Sequence, residues 1–225
     1  MTTAGRRLGV LGGTFDPVHM GHLDAADEAS RALGLDEVLF VPAHHPPHRS
    51  GGTAASVFNR FALLSLAVAD RGGFRVSDVE LRRSGPSYTA DTLAELHRRG
   101  WQPWQIFFII GSDAFADVAA WHGYPSILDA CHFAVIARAG TSPTVAVAPE
   151  PALHARVRPA GEAGRENLGT AIFLVDAATT AVSSTALRAR LATNETIEGL
   201  VPPAVEHYIR RHHLYRMDSN GHGQD

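Results

Sequence analysis

Short apolar runs alternate along the chain with longer segments in which apolar residues recur at helical spacing. Strand-like runs occupy residues 7–11, 37–41, 74–77, 106–110, 133–137 and 172–175. Helical spacing is found at residues 19–33, 58–70, 89–99, 184–192 and 203–211. The run at 106–110 is almost wholly apolar, which predicts a central strand buried on both faces. This alternation predicts an α/β fold of the Rossmann-like, doubly wound kind, with a mainly parallel sheet and helices on both faces.

The chain shows no internal repeat and no clear linker, so we expect one domain over residues 1–217. Its C-terminal part is predicted to be helical from about residue 184. Residues 218–225 are polar and contain glycine, which predicts a disordered tail. Residues 140–169 are rich in Pro, Ala and Gly, and we expect a variable surface region there with one poorly packed helix.

The composition is that of a soluble globular protein, with 45% hydrophobic and 19% charged residues. A net charge of -3 gives no global basic field, so we expect no nucleic-acid partner. The first apolar run is too short for a signal peptide, and no segment approaches the about 20 apolar residues of a membrane span. The single cysteine, Cys131, precedes an apolar strand, which predicts a buried, inert thiol in a cytoplasmic protein.

The first strand runs directly into a glycine pair at 12–13, and two histidines follow. The glycines let the backbone approach a ligand closely, and the Asp-Pro pair at 16–17 suits a helix N-cap and first turn. His19 and His22 lie three residues apart and share a face, while Gly21 keeps the space between them open. Because N–H groups at a helix start attract anions, this pattern predicts a phosphate site with two imidazoles. The alternative is a tight turn with incidental histidines.

A second group of potential phosphate ligands lies at the start of the helix at 184–192. The residues at 183–185 offer hydroxyl and N–H donors, and Arg188 adds a planar cation from the first turn. Taken alone, an ordinary Ser/Thr cap with a solvated arginine gives the same pattern. In parallel sheets, ligands bind beyond the carboxyl ends of the strands. The first motif, this second one and the residues after Ile110 are all expected there.

Two motifs resemble the signature of the nucleotidylyltransferase superfamily. They are Gly12-Gly13-Thr14-Phe15-Asp16-Pro17 with His19-x-Gly21-His22, and Val182-Ser183-Ser184-Thr185-Ala186-Leu187-Arg188. Three further elements resemble those of bacterial nicotinate-nucleotide adenylyltransferases. They are Pro46-Pro47-His48-Arg49, Ser87-Tyr88-Thr89-x-Asp91-Thr92-Leu93 and Ile109-Ile110-Gly111-Ser112-Asp113. The resemblance extends from about residue 8 to residue 216, nearly the whole chain.

The resemblance implies adenylyl transfer from ATP to nicotinate mononucleotide, which yields nicotinate adenine dinucleotide and pyrophosphate in NAD biosynthesis. It implies that the catalytic residues are His19, His22 and Arg188. The implied ATP-binding residues are Gly12, Gly13, Thr14, Phe15, His19, His22, Gly111, Asp113, Ser183, Ser184, Thr185 and Arg188. The implied acceptor-binding residues are His48, Arg49, Tyr88, Thr89, Trp121 and Arg138. Mg²⁺ is expected to arrive with ATP, held by substrate oxygens and water rather than by a dedicated protein site.

Several alternatives to this interpretation stay open. Another adenylyl- or cytidylyltransferase of the superfamily, such as a phosphopantetheine adenylyltransferase, would share the first motif, and so would a non-catalytic nucleotide-binding module. A histidine-rich metal-binding protein is a third, but the spacing of His44, His45 and His48 matches no established zinc pattern. Without the resemblance, Tyr88 and Trp121 would be interpreted as core aromatics. The expected partners are ATP and nicotinate mononucleotide, with neither nucleic acid nor membrane, and a homo-oligomer stays open.

Overall fold

The computed structural model describes residues 5–47, 51–137, 151–163 and 169–216. Its strands are β1 (Leu8–Gly13), β2 (Glu37–Pro42), β3 (Phe74–Val76), β4 (Ile106–Gly111), β5 (His132–Ala137), β6 (Val157–Arg158) and β7 (Ile172–Asp176). Its helices are α1 (Met20–Leu33), α2 (Val57–Val68), α3 (Thr89–Arg98), α4 (Ser112–Phe115), α5 (Ile127–Ala130), α6 (Pro151–His154), α7 (Ser184–Ala192) and α8 (Pro203–Arg211). Short 3₁₀ turns lie at Pro103–Gln105, Val118–Ala120 and Ala160–Glu162.

The described strands form one sheet in the order β3-β2-β1-β4-β5-β7-β6, and each pairing between them is parallel. The order reverses at β1, because β2 and β3 lie on one side of it and β4 on the other. A reversal of this kind opens a crevice beyond the carboxyl ends of the two central strands. The predicted parallel α/β fold is therefore confirmed.

Helices cover both faces of the sheet. One core packs α1, α2, α7 and α8 against it, and the other packs α3, α4 and α5. The central strand β4 serves both layers, because side chains alternate along a strand. Phe107 and Ile109 belong to the first core, whereas Ile106, Phe108 and Ile110 belong to the second. None of the five is more than 6% exposed, which confirms a central strand buried on both faces.

The predicted elements lie within about two residues of their predicted ends, whereas α4, α5, β6 and the 3₁₀ turns were not predicted. Four-residue helices such as α4 and α5 hold little more than one turn, so they carry no measurable periodicity. Cys131 is buried, as predicted, and burial raises the pKa of its thiol far above the usual range. No helix in the described part of the chain is long and apolar enough to cross a membrane.

The helix expected within residues 140–169 is present as α6, but the expectation that it packs poorly is wrong. There, α6 places Leu153 in a core at 2% exposure, and β6 pairs with β7 as an edge strand. Apolar side chains are few in this range, yet those of Leu153 and Ala163 find buried positions. Residues 138–150 and 164–168 lie outside the described residues, and so does the tail predicted at 218–225.

Candidate active site

An open cleft of about 1330 Å³ lies beyond the carboxyl ends of β1 and β4 and reaches the segments after β2 and β7. Its walls bring together most of the residues that the sequence singles out. These are Gly12, Gly13, Thr14, His19, His22, Tyr88, Thr89, Gly111, Asp113, Trp121, Ser183, Ser184 and Thr185. The predicted acceptor residues His48, Arg49 and Arg138 lie outside the described residues.

The two histidines of the first motif form a stacked pair at the start of α1. Their ring centroids lie 3.7 Å apart with an angle of 24° between the planes. His19 is the N-cap of the helix, and its backbone N–H donates to His22 Nδ1 over 3.2 Å. Since Nδ1 accepts this hydrogen bond, a neutral His22 carries its proton on Nε2. The pair is thus fixed in orientation, as the spacing of three residues predicts.

The Phe15 ring packs against His22 in the protein interior and does not line the cleft. Its side chain is 1% exposed, and its ring lies edge-on to His22 with centroids 4.9 Å apart. A Cβ at Gly13 would approach the same ring to 3.1 Å. The prediction that Phe15 contacts ATP is therefore corrected, because its ring is sealed beneath the loop that would bind the nucleotide.

Asp16 does not cap α1, contrary to the sequence-based expectation. The helix begins at Met20, whose N–H donates to Leu200 O over 2.9 Å. The Asp16 carboxylate is buried and accepts the N–H groups of Ala54 and Ala55 at 2.8 and 3.1 Å. An aspartate oxygen satisfies backbone donors equally well in a distant loop and at its own helix, so the local pattern did not distinguish the two.

A fully buried arginine joins the loops that follow β1 and β2. Arg60 projects from α2 and is 0% exposed. Its Nη1 donates to Thr14 O over 2.6 Å and its Nη2 to Ala43 O over 2.7 Å. The sequence analysis missed this residue, although one cation within the apolar helix 57–68 was a visible signal. Arg60 fixes the distance between two walls of the cleft.

The start of α7 is bonded directly to the loop before α1. Ser183 caps the helix by accepting Ala186 N–H at 3.2 Å, which agrees with the simpler interpretation of that serine. The Ser184 hydroxyl donates to Pro17 O over 2.8 Å. Arg188 is not among the residues that line the cleft, and its Nη1 donates to Asp16 O over 2.7 Å. Its Nη2 donates to the hydroxyl of Thr185, which lines the cleft, over 3.2 Å, so the guanidinium joins the loop before α1 to the start of α7. The predicted contact of Arg188 with ATP stays a prediction.

The segment between β7 and α7 is hydrogen-bonded to α1 through the carboxylate of Asp24, which the sequence analysis did not identify. Asp24 Oδ2 accepts both the N–H and the hydroxyl of Thr180, at 2.8 and 2.6 Å. A Cβ at Gly21 would lie 3.0 Å from Thr180 O. Glycine at position 21 thus permits a close approach between helix and segment, in addition to the open space that the sequence predicts.

Aromatic rings line the opposite wall of the cleft. Tyr88 stacks on His122 with centroids 4.3 Å apart, and Trp121 lies edge-on to Phe108 with centroids 6.0 Å apart. Trp121 packs against the second core, and it also lines the cleft. His122 was not predicted, because no motif marked it.

The end of β4 supplies a glycine and an acid to the cleft floor. A Cβ at Gly111 would lie 2.6 Å from Asp113 Oδ1, so the observed position of that carboxylate requires glycine. Asp113 is exposed on the first turn of α4. The arrangement therefore offers a carboxylate acceptor at the cleft, where it can receive a hydrogen bond from a ligand hydroxyl.

Comparisons with known proteins agree with this arrangement. Residues 10–190 match the model of the Cytidylyltransferase-like family. The Probable nicotinate-nucleotide adenylyltransferase of Synechococcus sp. (strain JA-3-3Ab) is 42% identical over 211 residues, which cover 93% of this chain and 95% of that protein. The protein of the same name from Trichlorobacter lovleyi is 41% identical over 213 residues, covering 93% of this chain and 99% of the relative.

Solved structures support the fold. The nicotinic acid mononucleotide adenylyltransferase of Plasmodium falciparum, complexed with NaAD, superposes with a TM-score of 0.69. It is 18% identical, and the match covers 93% of this chain and 97% of that chain. Together with the family match and the relatives above 40% identity, these findings establish that the chain belongs to the nicotinate-nucleotide adenylyltransferase family.

Proposed function

We propose that this protein transfers the adenylyl group of ATP to nicotinate mononucleotide, releasing pyrophosphate and forming nicotinate adenine dinucleotide for NAD biosynthesis. The observation that carries the proposal is the cleft itself. One wall holds stacked His19 and His22 and the start of α7, and the other holds Tyr88 and Trp121. The first wall suits the phosphates of ATP, and the aromatic wall suits the pyridine ring of the acceptor nucleotide.

The chemistry needs positioning more than proton transfer. The acceptor is a phosphate monoester whose second pKa is about 6, so it is already anionic at neutral pH. An oxygen of this phosphate bonds to the α-phosphorus of ATP, and the bond from that phosphorus to the bridging oxygen of pyrophosphate breaks. No covalent enzyme intermediate and no general base are required. The protein must hold two anions in line and stabilise the charge that develops at the α-phosphate.

We assign His19 and His22 to that stabilisation. Both line the cleft, and the hydrogen bond at His22 Nδ1 leaves Nε2–H as the donor of its neutral form. Donors preorganised where charge develops contribute about 3 kcal/mol each to transition-state binding. The glycine loop and the hydroxyls at the start of α7 complete the triphosphate site. Arg188 acts as a positioning residue, because its guanidinium holds the Asp16 carbonyl.

Magnesium enters this scheme as part of the ATP substrate. Within the described residues, no three histidine, cysteine or carboxylate side chains form a group that could hold a metal ion. Magnesium keeps several of its water ligands and is commonly held by substrate phosphates, so it does not require such a group. Asp113 is an exposed carboxylate that lines the cleft and fits an outer contact to this hydrated ion.

We further propose that Tyr88, Thr89 and Trp121 bind the acceptor. The indole presents an apolar face to a pyridine ring, and N–H groups at the start of α3 suit a carboxylate. We expect His48, Arg49 and Arg138 to bind the acceptor phosphate. A site built from N–H donors meets the carboxylate of the nicotinate form well and the amide nitrogen of the nicotinamide form poorly, since that nitrogen is itself a donor.

An acceptor panel tests the proposal. Nicotinate mononucleotide, nicotinamide mononucleotide and phosphopantetheine are each incubated with ATP and Mg²⁺, and pyrophosphate release is measured. We expect the highest kcat/KM for nicotinate mononucleotide. Equal kcat/KM for the two mononucleotides would contradict the assigned acceptor pocket. A higher kcat/KM for phosphopantetheine would show that the enzyme has a different substrate within its superfamily. Nucleotide binding without turnover of any acceptor would identify a non-catalytic module.

A further inference from the structure

A buried carboxylate lies on the acceptor wall of the cleft, outside the motifs used so far. Glu80 lies between β3 and α3, lines the cleft and is only 7% exposed. Its Oε1 accepts the Thr92 hydroxyl over 2.6 Å, and the Ser87 hydroxyl lies close enough to the same carboxylate to lower its pKa. Arg83 Nη2 stands 3.8 Å from Oε1. Burial raises the pKa of Glu80, while the two hydroxyls and the guanidinium lower it.

Ser87 links Glu80 to the loop of residues 43–47. Its Oγ accepts the N–H groups of His44 and His45, at 2.9 and 3.2 Å. Its own N–H donates to His45 O over 2.9 Å. A serine hydroxyl has two lone pairs and one proton. Because both lone pairs receive N–H groups, the proton can only be donated, and Glu80 supplies the acceptor.

Three segments therefore meet around one buried carboxyl group. They are the turn that carries Glu80, the start of α3 with Tyr88 and Thr89, and the loop of residues 43–47 that leads from β2. A polar network of this kind holds its members in one arrangement, and the loss of one member leaves buried groups unpaired.

We infer that Glu80 is a positioning residue for acceptor binding: through Ser87 and Thr92, it holds the 43–47 loop and the start of α3 in the geometry that receives nicotinate mononucleotide. The inference rests on the proposed function, since it concerns the acceptor half of the same site. ATP contacts the opposite wall in that proposal. Loss of the Glu80 network therefore weakens acceptor binding selectively.

The test is Glu80→Gln, which keeps the shape of the side chain but replaces one acceptor oxygen with an NH₂ donor. We expect KM for nicotinate mononucleotide to rise about tenfold or more, since a hydrogen bond to a charged group is lost and a donor then meets buried groups. KM for ATP and kcat change by less than about threefold. Glu95→Gln is the matched control, because Glu95 lies on α3 outside the cleft and pairs with Arg98 and Arg99.

Ser87→Ala supplies an independent variant in case Glu80→Gln does not fold. It should raise the same KM, and the double variant should be no worse than the more affected single variant, because both changes break one chain of hydrogen bonds. An unchanged acceptor KM in Ser87→Ala or in folded Glu80→Gln overturns the inference, and so do equal changes in both KM values. If wild-type protein does not adenylate nicotinate mononucleotide, the proposed function fails instead.

Discussion

His132 makes the stability of this fold depend on pH in a way that can be worked out from its contacts. The side chain is 2% exposed at the start of β5. Its Nδ1 accepts Ala171 N–H over 2.9 Å, and its Nε2 pairs with Trp104 O over 3.2 Å. A neutral imidazole with its proton on Nε2 satisfies both partners. A second proton on Nδ1 would face the Ala171 N–H, so protonation breaks one of the two bonds.

Burial lowers the pKa of His132 from 6.5 to about 4 in the folded protein, although the Trp104 carbonyl, which accepts a hydrogen bond from Nε2, partly opposes this. Between pH 6.5 and pH 4, His132 binds a proton in the unfolded chain but not in the folded chain. The contribution of His132 to the free energy of unfolding is therefore fully present above pH 6.5 and is lost as pH falls towards 4. One pKa unit is worth about 1.4 kcal/mol, which gives about 3 kcal/mol in total. Between pH 8 and pH 5 the expected loss is about 2 kcal/mol.

Urea unfolding of wild type and His132→Asn at pH 8 and pH 5 measures this effect. The asparagine Oδ1 can accept the Ala171 N–H but does not titrate. It leaves Trp104 O without its donor, so the variant is about 1–3 kcal/mol less stable at pH 8. The difference from wild type should shrink by about 2 kcal/mol at pH 5, because the other titrating groups are common to both proteins.

His154→Asn is the control, since His154 is exposed on α6. It should keep the wild-type dependence on pH. If the difference between wild type and His132→Asn is the same at pH 8 and pH 5, His132 titrates alike in the folded and unfolded states, and the reasoning is refuted.

Three further substitutions separate catalysis, nucleotide binding and stability. His22→Ala should lower turnover about 100-fold or more while the protein stays folded; near-normal pyrophosphate release would contradict its role. Gly21→Ala places a methyl group 3.0 Å from Thr180 O, so KM for ATP should rise while urea unfolding stays unchanged. An unchanged KM would show that the segment between β7 and α7 moves aside without affecting ATP binding. Arg60→Met removes the donors to Thr14 O and Ala43 O and should cost about 3 kcal/mol in urea unfolding; a wild-type midpoint would show that these carbonyls find other partners.

The parts of the site that were predictable are those encoded by local spacing. His19 and His22 share a face of one helical turn whatever surrounds them, and an apolar run such as 106–110 has to be buried on both sides. The helix of residues 184–192 likewise begins at its serine-rich start. In each case the residues that determine the structure are neighbours in the chain.

The contacts that brace the site join residues far apart in the chain, so local patterns did not reveal them. Asp16 is compatible with a helix cap, and only the folded chain shows that its carboxylate binds the loop at 54–55. Arg188 has the spacing of a solvated or ligand-binding cation, and only the folded chain shows that its guanidinium donates to the distant Asp16 carbonyl. Glu80 resembles any other glutamate in a polar turn until Ser87 and Thr92 converge on it.

The bonds between α7 and the loop before α1 also set the moment at which the protein becomes competent during synthesis. Ser184 and Arg188 reach carbonyls that lie 167 and 172 residues earlier in the chain. A nascent chain that stops before Ser184 already contains all seven described strands, but nothing from α7 holds the Pro17 and Asp16 carbonyls. ATP affinity should therefore develop only after α7 has left the ribosome and docked on this loop, which makes nucleotide binding a reporter of that docking.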